Sequence, residues 1–415
     1  MGRRSTIPVE LATLAVLSAA LQACQPSTRE DLALSQKAVL ALFQEVLDKP
    51  QALFEWDSTR RVETHKALFE EAPALASESP KELVTLLIAA LQAPERSVHL
   101  PASYILRHVT QENHGFRPFA SAEERAGAQH AWREWWAGAR GNFTSQAPPL
   151  EQSTLIVDEI PGRIVGNDEE PPGRILHLDR RGEPIWEIDT LKMPYDAVRQ
   201  EDGGYLVNII RARAVWKISP EGEVVSEIKV GGYPCSLELL GSGHILVAGW
   251  DDDVPGFVRE LDGEGNIVWA VENLRWPWKA QRLDNGNTLI ADAGKNRVFE
   301  VNPAGEEVWA VDSLGPEAPE LFDALGPVYC QRLADGDTLV SIRGLSKVVE
   351  LDPSGKVVWE VGPELVKNQY SAVRLWNGNT LIADGGNWRV IEIDVDKNIV
   401  WEKGGFGYAA KAYRY

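Results

Sequence analysis

The chain has 415 residues, a hydrophobic fraction of 44% and a formal net charge of -19 at pH 7. It is long enough for two or three separately cored domains, and its composition excludes a chain that is mainly disordered or membrane-embedded. The acidic balance argues against a phosphate-backbone partner, because nucleic-acid binders present basic faces that release counterions, so no nucleic acid is expected.

The first residues read as an export signal. Arg3 and Arg4 precede an apolar run, Leu11 to Leu21, that is too short to span a bilayer as a stable helix, and the run closes on "LQAC" at Cys24. This ending resembles the lipobox of bacterial lipoproteins, with Leu21 and Ala23 in the places that motif requires. The resemblance implies a signal peptide over residues 1–23, lipidation of Cys24, and a bacterial cell-envelope protein held to a membrane by that lipid. Outer membrane and periplasmic side both stay open. Cys235 and Cys330 are the only other cysteines, so no disulfide framework or Cys-rich metal site is expected.

Residues 24–143 read as a small helical domain. "PKELVTLLIAALQA" sets Leu83, Leu86, Leu87 and Leu91 on one face; Ser79 with Glu82 predicts a capping box, and Pro80 takes the first helical position. Ser121 and Glu124 repeat the device ahead of Trp132, Trp135 and Trp136 at helical spacing. The run from "ASYILRHVTQENHGF" to "AWREWW" resembles the end of a HEAT-type helical array. His65, His99, His108, His114 and His130 lack metal-ligand spacing, so packing or surface roles are expected for them. "TSQAPPLEQ", residues 144–152, reads as a linker.

Repetition follows. Five segments align without a gap: "MPYDAVRQEDGGYLVN" from Met193, "YPCSLELLGSGHILVA" from Tyr233, "WPWKAQRLDNGNTLIA" from Trp276, "GPVYCQRLADGDTLVS" from Gly326 and "NQYSAVRLWNGNTLIA" from Asn368. Each is followed by two further strand-like runs around a Gly turn, as in "KVVELDPSGKVVWEV". Four strands per unit, joined by turns rich in Asn, Asp and Gly, are the pattern of propeller blades. A sixth unit is split. Ser153 onward supplies its later strands, and "YAAKAYRY" from Tyr408 matches the opening positions of the others. Residues 153–415 are therefore expected to form an all-β six-bladed propeller whose C-terminal strand closes the first blade and removes its edges.

The repeat also sorts the residues. Trp186, Trp269, Trp309, Trp359 and Trp401 recur in the outer strands, and Arg199, Arg282, Arg332, Arg374 and Arg414 recur in the inner ones. Ser226 takes the tryptophan's place in the sixth blade; a group that recurs around the ring in this way is packing between blades, since one ligand cannot need it all around. Function is expected where the blades differ, on the face that carries the long loops "GNDEEPP" from Gly166, "WDDDVPG" from Trp250 and "DSLGPEAPELFDALGP" from Asp312. From this face Asp196, Ser236, Lys279, Tyr329, Ser371 and Lys411 enter the inner strands, preceded by Tyr195, Cys235, Trp278, Val328, Tyr370 and Ala410. Arg211, Arg213 and Arg343 lie on second-to-third-strand connections of the same face. The candidate binding set is Tyr195, Asp196, Arg211, Arg213, Trp278, Lys279, Tyr329, Arg343, Tyr370, Trp388 and Lys411, suited to an anionic or aromatic ligand or a protein segment. Asp251, Asp252 and Asp253 form a weak candidate for calcium, which wants several oxygens.

"LIADGGNWRVIEID" resembles NHL-type propeller repeats, which implies turn-fixing roles for Asp384, Asn387 and Arg389. Asp384 is also expected at the loop face with Asp158 and Asp292. Residues Asp337 to Trp359 are similar to arylsulfotransferase-type propellers, and "DPSGKVVW" resembles quinoprotein-type ones. The first family relies on channel histidines, whereas His177 and His244 here fall within strands; the second would need a vicinal cysteine pair that this chain lacks. No cofactor is expected. The reading is a lipid-anchored module that binds a small molecule or protein without catalysis, with an enzyme descended from either family as the alternative.

Overall fold

The computed structural model describes residues 29–49, 52, 56–145, 147, 153–159, 172–315 and 326–415. The leader with Cys24, most of the linker, and two of the long loops (160–171 and 316–325) lie outside the described residues. The chain divides into two compact units, Met1–Pro149 and Leu150–Tyr415.

The described part of the first unit is helical: Arg29–Leu42, Gln44–Asp48, Ser58–Glu78, Pro80–Ala90, Arg96–Thr110 and Ala122–Ala139. Leu83, Leu86, Leu87 and Leu91 are buried, as are Trp132 and Trp136. The Ser121–Glu124 capping box forms in both directions. The one expected at Ser79 does not. Ser79 also closes the preceding helix, its N–H donating to the Leu75 carbonyl at 2.8 Å, so its backbone geometry is taken by two abutting helices and the hydroxyl is not aimed at Glu82. His65 is packed under Phe43 and Trp56 and bonded to the Arg61 carbonyl at 2.7 Å; burial pushes its pKa down to about 4, as befits a core histidine.

The second unit is the six-bladed propeller. Six sheets of four antiparallel strands follow one another; the first is made of Thr154–Asp158, Gly173–Leu178 and Pro184–Leu191 with Ala409–Arg414 as its innermost strand. Ile156 faces Ala412 and Thr154 faces Arg414 across that closing pair. The remaining inner strands are Pro194–Arg199, Tyr233–Leu239, Pro277–Arg282, Pro327–Arg332 and Ser371–Arg374, one for each of blades two to six.

Neighbouring blades are joined by the repeated residues. Arg282, Arg332, Arg374 and Arg414 stack on Trp269, Trp309, Trp359 and Trp401 of the preceding blade, 4.5 to 5.0 Å from the ring centroid. Each also pairs with a third-strand glutamate of that blade, in turn Glu260, Glu300, Glu350 and Glu392. The indoles of Trp269, Trp309 and Trp359 donate forward to a turn carbonyl of the next blade at 2.9 Å. The first seam keeps the forward indole bond, Trp186 to the Pro220 carbonyl at 2.8 Å, but differs in its stacking: Trp186 stacks on Tyr205 at 4.2 Å, and His177 bonds the Tyr205 hydroxyl at 2.7 Å and Ser153 at 2.8 Å. His177 is thereby a structural strut.

Candidate functional site

Three inner strands begin on proline, which has no N–H to lose at the first position of a strand, and a fourth has Pro234 at its second position. Just inside it the register shifts by a bulge, between Pro194 and Asp196, Pro234 and Ser236, Pro277 and Lys279, and Pro327 and Tyr329. A bulge re-aims side chains, and here two consecutive residues of each strand reach the propeller axis.

The first of each pair forms a cap. Tyr195, Trp278 and Tyr370 from the second, fourth and sixth blades meet across the axis, with centroid separations of 5.5, 5.8 and 5.8 Å. Cys235, Val328 and Ala410 from the other three blades fill the gaps. Large and small residues alternate around the ring because six rings would not fit in it. Tyr195 and Tyr370 are 1% and 8% exposed, so this layer closes the axis from the loop side.

Beneath the cap lies the second residue of each pair: Asp196, Ser236, Lys279, Tyr329, Ser371 and Lys411, all buried. Asp196 accepts from the N–H groups of Ala197 and Leu237, both at 2.9 Å, and from the Tyr413 hydroxyl at 2.7 Å. Lys411 has no hydrogen-bond partner for its Nζ, which lies 5.4 Å from the Tyr195 ring and 5.1 Å from the Tyr329 ring. Burial pushes its pKa down to about 8, Asp196 opposing and Lys279 reinforcing the shift. Asn208 and Ser371 likewise bury side-chain polar atoms without a bond.

Further down, side chains of one blade satisfy the inner-strand N–H groups of the next. Glu238 accepts from Arg282 N at 3.0 Å, Gln281 from Arg332 N at 2.7 Å, and Gln331 from Arg374 N at 2.8 Å.

Above the cap, two cationic and aromatic patches occupy the loop face. In one, Arg343 stacks on Tyr370 at 4.6 Å and donates to the Tyr408 hydroxyl at 3.3 Å, while Tyr408 packs on Tyr370 at 5.1 Å. In the other, Arg213 stacks on Tyr233 at 5.0 Å and pairs with Asp251 at 3.0 Å; Tyr233 meets Trp250, and Arg275 stacks on Trp276. Tyr408, Tyr233, Trp250, Trp276 and Arg275 were not marked by the sequence. Their signal was there: blades differ at these loop positions, and an aromatic followed by a small inner residue recurs.

The candidate residues thus separate by depth. Tyr195, Trp278, Tyr370 and Arg343 come together; Asp196, Lys279, Tyr329 and Lys411 lie below them; Arg213 belongs to the second patch, and Arg211 is exposed. Trp388 stands at the rim, 63% exposed, in the left-handed region at φ 55°. The same place holds Asn296, Ser346 and Arg213 in other blades, at 55°, 50° and 53°. A tryptophan there costs about 1–2 kcal/mol of backbone strain. A groove of about 430 Å³ beside it is lined by Leu365, Lys367, Asn387, Arg389 and Glu402.

Asp158, Asp292 and Asp384 do not present themselves to the loop face. All three are fully buried. Asp292 takes the N–H groups of Arg275 and Trp276, Asp158 that of Tyr408, and Asp384 that of Lys367 together with Asn387 and Arg389. They fasten the interblade loops from below, the turn-fixing role expected of Asp384, Asn387 and Arg389. Asp251 is engaged by Arg213, and Asp252 and Asp253 point to solvent, so the acidic run offers no convergent oxygens.

No protein-family model and no curated protein matches the chain. Several solved structures are similar to part of the chain. A Bacteroides caccae protein of unknown function is 19% identical, covering 63% of this chain and 98% of its own, with a TM-score of 0.48. Virginiamycin B lyase from Staphylococcus aureus is 13% identical over 61% of this chain and 88% of its own, at a TM-score of 0.41. The WD40 β-propeller domain of Doa1 is 11% identical over 61% and 86%, at 0.44. Each likeness is slight, and the six-bladed β-propeller, with a helical unit before it in the chain, rests on this structure's own strand order.

Proposed function

We propose that the propeller is a non-catalytic binding module whose loop face takes an anionic ligand or protein segment carrying aromatic groups. The observation behind this reading is the pair of Arg–aromatic patches, spread over a closed axis. A guanidinium already stacked on a ring offers its edge to a carboxylate or sulfonate while the ring beside it takes a planar group. The exposed, strained Trp388 extends the same surface.

Calorimetric titration with naphthalene-2-sulfonate as probe tests it. Arg343→Ala is expected to weaken binding roughly 10- to 100-fold, the worth of a charge-assisted hydrogen bond to the sulfonate, and to lower the melting temperature slightly through the lost stacking on Tyr370. Trp388→Asn, the residue of a sister blade, is expected to weaken binding less and to raise the melting temperature. Equal affinity in wild type and Arg343→Ala counts against the reading.

One observation favours catalysis instead. Lys411, lowered to about 8, would be a competent base or nucleophile near neutral pH, in an enzyme of arylsulfotransferase-like or quinoprotein-like descent. Substrate would have to pass Tyr195 and Tyr370. Turnover of an aryl sulfate by the purified protein would bring this reading forward.

We also propose that the module works in the bacterial cell envelope, anchored through a lipid on Cys24. Support comes from the lipobox-like "LQAC". In cells fed an alkynyl fatty acid the wild-type protein should be labelled and sediment with membranes, whereas Cys24→Ser should be unlabelled. Label retained in the variant would place the lipid elsewhere.

A further inference from the structure

Blade five breaks a rule that its neighbours keep. At the turn between the first and second strands, the third turn residue faces the third-strand glutamate that pairs with the interblade arginine. In blade three His244 meets Glu260 Oε1 at 2.8 Å, in blade four Asn287 donates to Glu300 Oε1 at 2.6 Å, and in blade six Asn379 donates to Glu392 Oε1 at 2.7 Å. Blade two has Lys217 in the glutamate's place and pairs it with Asp202 at 3.2 Å. In blade five the turn is Asp335-Gly336-Asp337, and both Asn side chains of the sister turns are replaced by carboxylates.

Asp335, Asp337 and Glu350 are all buried, each with a carboxylate oxygen within 4.8 Å of the others. Arg374 takes Glu350 Oε2. Glu350 Oε1, the atom that accepts from His or Asn in the sister blades, has no partner, on a residue with no exposed surface. A carboxylate oxygen buried without a partner is costly, and an ion that reached Glu350 Oε1 would relieve that cost. Burial pushes Glu350 up to about 7, and the two aspartates add to this despite Arg374.

We propose that Asp335, Asp337 and Glu350 hold a hard divalent cation, Ca2+ by preference. The donor set is all oxygen, which suits a hard ion and not zinc or copper. Buried protein oxygens as donors favour Ca2+ over Mg2+, which usually keeps several waters in an octahedron. Bound there, Ca2+ ties the turn to the third strand of blade five and, through Glu350 and Arg374, to blade six. This site is independent of the loop face, which lies at the other end of these strands.

The test compares the full chain, stripped with EDTA, with and without 1 mM Ca2+. Wild type should bind one equivalent by equilibrium dialysis and melt at least about 4 °C higher with the ion. The D335N/D337N variant restores the Asn-Gly-Asn turn of blades four and six. It should bind none, melt at one temperature in both buffers, and melt no lower than EDTA-treated wild type. Wild-type protein that binds no Ca2+ and shows no shift overturns the proposal, and the stoichiometry decides this even if the variant fails to fold.

Discussion

Deleting Tyr408–Tyr415 is expected to leave the propeller without a cooperative unfolding transition. The segment is the innermost strand of the first blade, and Ala409, Ala410, Lys411 and Ala412 within it are fully buried. Its loss removes the Tyr408 N–H from buried Asp158, the Tyr413 hydroxyl from buried Asp196, the Tyr415 hydroxyl from Arg199 N, and Arg414 from Glu392. A buried polar group left unsatisfied costs roughly 1–3 kcal/mol. Four such losses approach the whole stability of an ordinary domain, about 5–15 kcal/mol, before the open sheet edge is considered. Circular dichroism of the truncated protein during urea or thermal unfolding checks this. A wild-type midpoint would show that the ring does not depend on its closing strand.

Replacing Lys411 by Met is expected to stabilise the protein at pH 7. Folded Lys411 gives up its proton near pH 8, whereas the unfolded chain keeps it to about 10.5. Between those values the unfolded state binds more protons, so wild-type stability rises with pH across that window. Below pH 8 both states are charged and the full penalty stands. A shift from 10.5 to about 8 corresponds to about 3 kcal/mol at 1.36 kcal/mol per unit. That shift is already net of the attraction to Asp196, which keeps its three hydrogen bonds in the variant. A net gain on the order of 1–3 kcal/mol at pH 7, fading as pH rises to 10.5, is the expected result. Urea titrations of both proteins at pH 7 and pH 9.5 measure it, and other titrating groups cancel in the difference. A variant less stable than wild type at pH 7 would mean that the Lys411–Asp196 attraction outweighs desolvation.

The candidate site was legible in outline. That the inner-strand residues converge on the axis follows from the repeat, and so does the loop face that carries Arg343 and Trp388. Depth was not legible. Asp196, Lys279, Tyr329 and Lys411 were grouped with Tyr195 and Trp278, yet a bulge places them one layer lower, under rings that shut them from the loop side. Asp384 looked like a loop-face residue until its acceptance of the Lys367 N–H put it inside the turn.

The sequence by itself determined blade number, strand order, ring closure and the Arg–Trp seams. Each of these rests on neighbours that recur at fixed places in every repeat, so the pattern carries its own explanation. Only the tertiary structure decided how the axis is filled and where charge is left over. Tyr195, Trp278 and Tyr370 meet across a ring from positions far apart in the chain, and the change from Asn-Gly-Asn to Asp-Gly-Asp gains meaning only when Glu350 is found facing it. Contacts of that kind depend on volume at the axis and on burial between strands, which no local spacing of residues encodes.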